Sequence, residues 1–331
     1  MNSATRRTIL GWGLMLAALV GLVATAAAQE RVTVKILTSS KGTVTNAVLG
    51  ALAASLSKHV PGYTATAATV TPPSAITQLK DVGRGVADLS DCGVGLALDA
   101  VRGQGAFREG ALNLQALAVF YPSRMQLVTV EGSGIAKLAD LKGKRVSTGP
   151  AAGVVELITT RIFDAAGMDI ERDIRRERLV LADAVKALQE GRIDAFFQLG
   201  NRVLSPILRD PAAFPGKKIK LIDTAEGVEA INRKYGPIYA KGAVPGGTYA
   251  GQDVAVPTLE GWVLLCAGQT VSEQVAYNVV KTLFEQKADL VAAHPDAADI
   301  ALAKQAEVKV PIPFHPGALK YFAEKGIRVS N

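Results

Sequence analysis

Apolar and polar positions alternate from Val32 to Leu37, the period-two pattern of a half-buried strand, and directly afterwards Val44, Val48, Leu52 and Leu56 recur at helical spacing. Between them lies the polar turn "TSSKGTVTN" (38–46). "GYTATAATV" (62–70) reads as a second strand, because threonine and valine suit a pleated surface, and Pro72-Pro73 ends it. A helix from about Ser74 to Gly83 follows, with Ser74 as its N-cap. "VADLSDCGV" (86–94) and "LQALAVFYPSRMQLVTV" (114–130) are strand candidates. Strand and helix in alternation argue for an α/β sheet rather than a sandwich.

The same construction begins again further on. "GKRVSTG" (143–149) reads as a strand, "PAAG" as a turn, and "VVELITTRIFDAAG" (154–167) as an amphipathic helix closed by Gly167. "ERLVLADAVKALQEGRIDAFFQLG" (177–200) supplies strand, helix and strand, and "KKIKLIDT" (217–224) another strand. Residues 235–267 are rich in glycine and proline and then strongly strand-like. Two segments of the tail, 275–295 and 315–327, read as helices. Two lobes of similar construction are expected, one from 29–122 plus 263–331 and the other from 123–262. A tail that packs on the first lobe makes the chain cross between lobes near 119–128 and 252–268, which is how a hinged cleft is made.

Charge and composition narrow the classes. Residues 1–28 place Arg6 and Arg7 before an apolar stretch from Ile9 to Val23 and end in Ala26-Ala27-Ala28, the layout of a secretory signal peptide cleaved near Ala28. The mature chain is therefore expected in the periplasm, and its formal charge falls from +7 to +5. Its basic residues are interleaved with acids, as in "ERDIRRER" (171–178), which suits a solvated helical face, and only 5% of residues are aromatic. Neither a basic stripe nor stacking platforms are present, so nucleic acid is not an expected partner. A monomer is expected. Cys92 and Cys266 stand far apart in the chain, and the sequence leaves open whether they pair or remain separate buried thiols.

In open α/β sheets, ligands settle beyond the carboxyl ends of strands, where loops lead into helix N-termini. Both "TSSKGTVTN" and "STGPAAGVVE" occupy that position. A helix N-terminus favours an anion by about 0.3–1 kcal/mol, so side-chain cations at strand ends, Lys41, Arg124 and Arg202, are the candidates to add to it. Rival chemistries lack their motifs. "SSKGTVT" has no phosphate-loop spacing, "GVGLAL" (93–98) lacks the third glycine of a dinucleotide fingerprint, and "EGSGI" misses the nucleophile elbow by one glycine. His59, His294 and His315 are scattered, with the last two before prolines, so they read as turn residues rather than bases. No enzyme, cofactor or metal site is expected.

"KGTVTNAVLGALAASLSKHVPG", "RGVADLS", "GQGAF", "LAVFYPSRMQLV", "IAKLADLKGKRVSTGPAAG", "GRIDAFFQLG", "VPGGTYAGQDVAVPT" and "PIPFHPGALKYFAEKG" run through nearly the whole mature chain in one order. They resemble the TAXI group of solute-binding proteins of tripartite ATP-independent periplasmic (TRAP) transporters. The resemblance implies a type II-like two-lobed periplasmic binding protein, its lobes joined by hinge strands, that passes a small anionic solute to TRAP membrane subunits. Relatives suggest dicarboxylates such as 2-oxoglutarate or glutamate. This chain departs where that pattern usually has Gln-Ser-Asp, carrying Gly93-Val94-Gly95 instead, and has Ser123-Arg124 after Tyr121-Pro122 where an acid is usual. The gained apolar surface points to a less polar acid. The expected ligand set is Lys41, Gly42, Thr43, Ser74, Arg124, Arg202 and the turn Gly149, Ala152, Gly153, Val154, with Tyr121 and Tyr249 as walls. A receptor docking on a membrane sensor is the alternative use of the same fold.

Overall fold

The computed structural model describes residues 31–329 apart from 40, 73, 202 and 205, so the expected signal segment and Arg202 lie outside the described residues. The alternation at Val32–Leu37 becomes strand β1, which buries Val34 and Ile36 and pairs in parallel with β2 (Tyr63–Ala68) and β3 (Leu89–Gly93). The two longest strands are β4 (Leu114–Val130) and β10 (Val256–Gly268), antiparallel from Gly268↔Leu114 to Glu260↔Arg124. Most of β4 is buried on both faces, which is why its sequence is a near-continuous apolar run rather than an alternating one. On the far side of β4 stand β5 (Arg145–Ser147), β6 (Arg175–Glu177) and β7 (Ala195–Gly200); β8 (Ile219–Ile222) pairs with β4 and β9 (Ala240–Val244) with β10. The strand order is β2-β1-β3-β10-β4-β7-β5-β6.

Each end of this sheet is an α/β unit, and only β4 and β10 run through both. The fold is thus the expected two-lobed α/β arrangement. The register of β10 against β4 shifts between Trp262 and Leu264 and again between Leu265 and Cys266. A bulged strand bends and twists more than a regular one. Cys92 and Cys266, left open by the sequence, form a disulfide between β3 and β10 with Cα atoms 6.4 Å apart.

Ten helices are described: α1 (Val44–His59), α2 (Ala75–Gly83), α3 (Val94–Arg102), α4 (Val154–Ala165), α5 (Leu181–Gln189), α6 (Val228–Tyr235), α7 (Glu273–Glu285), α8 (Lys287–Ala293), α9 (Lys304–Glu307) and α10 (Pro316–Glu324). Helix α1 starts where Thr43 accepts a hydrogen bond from the Asn46 amide, and α2 where Ser74 accepts from the Thr77 amide. Both are side-chain N-caps satisfying first-turn donors. The tail helices α7 and α8 pack on α1, and α10 packs on α7, so the carboxyl end returns to the first unit. His315 caps α10, its Nδ1 accepting from the Gly317 amide while Nε2 donates to the Val271 carbonyl; His294 accepts from the Asp296 amide.

Two expectations are corrected. The run 171–178 is not a helical face: it is a turn followed by edge strand β6, where Arg176 and Arg178 both converge on Glu156 and Glu171. Those pairings occupy the charges that a solvated helix would have left to water. Helix α6 was not expected: it falls in the short interval between the strand segment ending at 224 and the glycine- and proline-rich stretch from 235, and it is amphipathic but only eight residues long, burying Val228 and Ile231.

Candidate functional site

Three helices begin at one cavity of about 200 Å³ between the two units. Thr43, Val44 and Thr45 come from the start of α1, Gly93, Val94 and Gly95 from the start of α3, and Val154 and Ile158 from α4. The sheet contributes Asp91 from β3, Tyr121 and Ser123 from β4, Gln198 to Gly200 from β7, and Gly261 to Val263 from β10. All of these stand where strands end or cross between the units, the position that the topology of open sheets assigns to ligands. Helices α3 and α4 start at Gly93 and Gly153 with no side-chain cap. Their first-turn N–H groups carry the partial positive charge of a helix start.

Gly95 shows how tightly the wall is built. A β-carbon there would stand 2.5 Å from Tyr239 Oη and 2.8 Å from Arg161 Nη1. A β-carbon on Gly93 would press on Val154 Cγ1 at 3.2 Å, across the cleft from its own helix. The triplet Gly93-Val94-Gly95 therefore lets α3 and α4 approach.

Among the described residues lining this cavity, Asp91 is the one acid, and no lysine or arginine lines it. Its Oδ1 accepts from the Ser39 amide at 3.0 Å and its Oδ2 from the Ser39 hydroxyl at 2.5 Å. Burial pushes the Asp91 carboxyl above its ordinary range, while the hydrogen bonds from Ser39 and Thr45 oppose that rise. Burial, followed by the charge of Asp91, lifts Tyr121 well above the usual tyrosine range. The remaining lining is largely apolar: Val44, Val94, Ile158, Leu199, Trp262 and Val263.

The expected ligand residues divide into groups. Thr43, Tyr121 and Val154 line the cavity. Ser74, Gly153 and Val154 line a neighbouring chamber of about 270 Å³ that shares Ser39 and Val154 with the first. Lys41 and Gly42 are exposed and line neither. Gly149 is left-handed and packed on Val155, and Ala152 is left-handed with its amide donating to Glu156 Oε2, so that turn spends its amides internally. The Gly153 amide likewise donates to the Pro150 carbonyl.

Arg124 lies outside this cavity and lines a chamber of about 760 Å³ that shares Asn201 and Trp262 with it. Its Nε pairs with Glu260 at 3.0 Å, its direct partner in the ladder, and its Nη1 donates to the Asn201 carbonyl at 2.6 Å. Tyr249 is buried in the apolar cluster of Val128, Phe196 and Leu221, where its hydroxyl donates to Gln126 and accepts from the Leu204 amide. Burial raises it to about 12, and it is a core residue rather than a wall.

Sequence reasoning passed over Ser39, Asp91, Tyr239 and Trp262. An acid inside the apolar strand "VADLSDCGV" was the available signal for Asp91. Behind the cavity a buried ion pair joins the two units: Arg161 Nη2 of α4 to Asp99 Oδ2 of α3 at 2.5 Å, with side chains 3% and 7% exposed. Arg161 also donates to Tyr239 Oη at 3.1 Å and lies over the Tyr235 ring.

Together the sheet order and a cleft between two α/β units, crossed by paired strands, define the periplasmic-binding-protein fold. Residues 36–326 match the NMT1-like family, and the chain belongs to that family. The solved structure of XAC2383 from Xanthomonas citri bound to chloride is similar in fold, with a TM-score of 0.50 at 10% identity over 88% of this chain and 95% of that one. The periplasmic aliphatic sulphonate binding protein SsuA from Escherichia coli aligns with a TM-score of 0.44 at 15% identity, covering 88% of this chain and 82% of that one.

Proposed function

We propose that this chain is a periplasmic solute-binding protein whose cleft closes on a small amino-acid-like molecule, its anionic group facing the helix starts and its ammonium group facing Asp91. The observation that carries this reading is a lone lining carboxylate in one largely apolar cavity at which three helices begin. The helix starts favour a negative group by about 0.3–1 kcal/mol each. Asp91 already accepts from the Ser39 amide and hydroxyl, and a ligand ammonium would add the opposite charge that offsets the cost of ionising it in a largely apolar site. A zwitterion satisfies both, whereas a simple dicarboxylate would set a second charge against Asp91. Helix dipoles replace the arginine that was expected to hold the anion.

On this reading the two lobes that close are residues 29–122 plus 263–331 and residues 123–262. Delivery to TRAP membrane subunits rests on the segments resembling TAXI proteins, "GTYAGQD" and "IPFHPGALKYF" above all. The test is thermal unfolding of the refolded mature chain against amino acids and organic acids. A ligand at a hundred times Kd should add about 2.7 kcal/mol of stability, a shift of several degrees. A response confined to amino acids supports the reading, and a response confined to simple organic acids overturns it.

A further inference from the structure

The chamber beside the main cavity is lined by Thr38, Ser39, Thr69, Ser74, Gln78 and the Pro150–Val155 turn. Its polar groups are mostly committed: Thr69 Oγ1 donates to the Ser39 carbonyl at 3.1 Å, and Ser74 Oγ accepts from the Thr77 amide at 3.2 Å. Gln78 is the exception. Its side chain, 3% exposed and lining the chamber, holds Nε2 buried with no hydrogen-bond partner among the described residues. An unmade buried donor costs about 1–3 kcal/mol, and such groups are rare in native proteins.

We infer that this chamber is a second subsite, taking the hydrogen-bond-accepting end of an elongated solute whose amino-acid head occupies the main cavity. The inference rests on that proposed function and adds the length and tail chemistry of the ligand. Ser39 and Val154 line both spaces, and the subsite requires a chain of a few methylenes to pass beside these two residues. Gln78 Nε2 and the start of α2 then face an oxygen acceptor, which a neutral carbonyl and a carboxylate supply equally as far as the amide is concerned.

The experiment is calorimetric titration of the refolded mature chain with three probes of equal length: norleucine, ending in a methyl, homoglutamine, ending in an amide, and 2-aminoadipate, ending in a carboxylate. The wild type is expected to bind one or both acceptor-ended probes about fivefold to tenfold more tightly than norleucine, the worth of one hydrogen bond. Gln78→Leu should erase that advantage and leave norleucine within about twofold. Gln78→Met serves the same purpose if the leucine variant fails to fold, and thermal unfolding checks both. The amide and carboxylate arms tell which acceptor is preferred. Norleucine binding with no acceptor advantage, or an advantage untouched by the Gln78 variants, overturns the subsite alone. Binding of none of the three overturns the amino-acid reading and the subsite with it.

Discussion

Removing one partner of the Asp99–Arg161 pair tests whether the two units are held together as the structure has them. Both side chains are almost wholly enclosed, 7% and 3% exposed, and the pair links α3 to α4. Burial works against the arginine's charge, but Tyr239 and Asp99 outweigh it and hold Arg161 above its ordinary value. Asp99→Asn or Arg161→Met leaves a desolvated group uncompensated, which costs about 3–5 kcal/mol for a buried pair. Replacing both leaves no orphan charge, so the double variant Asp99→Asn with Arg161→Met should lose less than the sum, with a coupling of about 2–3 kcal/mol. Urea unfolding of the four proteins measures this, with the slope checked for a change in exposed surface. Single variants that each lose under about 1 kcal/mol, or strict additivity in the double, would refute the reasoning.

Asp91→Asn should leave thermal stability unchanged or raised, because the carboxyl's value is raised by folding and its ionised form opposes burial, yet it should weaken amino-acid binding by about 2–5 kcal/mol. By the same sign, the stability contributed by protonated Asp91 is present at low pH and lost as pH rises through its raised value, while titration calorimetry should show ammonium-ligand affinity falling as pH drops through that value. Arg124→Ala should leave affinity nearly unaltered and lower unfolding stability by about 1.5–3 kcal/mol, since it strips Glu260 of its cation. Gly95→Ala should destabilise by about 1–3 kcal/mol in urea despite alanine's better helix propensity, because its methyl collides with Tyr239 and Arg161. Reduction of Cys92–Cys266 should lower stability by about 2–4 kcal/mol, read by unfolding with and without reductant.

The strands and long helices were legible because their periodicity is local: Val34 and Ile36 alternate and Val48, Leu52 and Leu56 stack without help from distant residues. The N-cap Ser74 and the turn roles of His294 and His315 follow from the same short-range rules. The site was legible only in part. The helix-start segments pointed to the right end of the sheet, but which side chains face the cavity depends on pairings between strands far apart in sequence. Arg124 was expected to hold the anion because it sits at a strand end; its pairing with Glu260 comes from the β4–β10 ladder, between residues more than a hundred positions apart in the chain. Asp91 was missed for the complementary reason, its setting arising from burial and from Ser39 in the loop after β1. The run 171–178 looked helical because Glu156, which organises its arginines, lies on a different element.

A ligand ammonium on Asp91, in a cavity where three helices begin, would make the amino group the source of much of the affinity. Titration of the refolded mature chain with norvaline and with pentanoate, alike but for the amino group, tests it most directly. The account expects norvaline to bind at least about thirtyfold more tightly, a difference of about 2 kcal/mol for one desolvated charge pair, and Asp91→Asn to remove the difference. Pentanoate binding as tightly as norvaline, or a preference that survives Asp91→Asn, would contradict it.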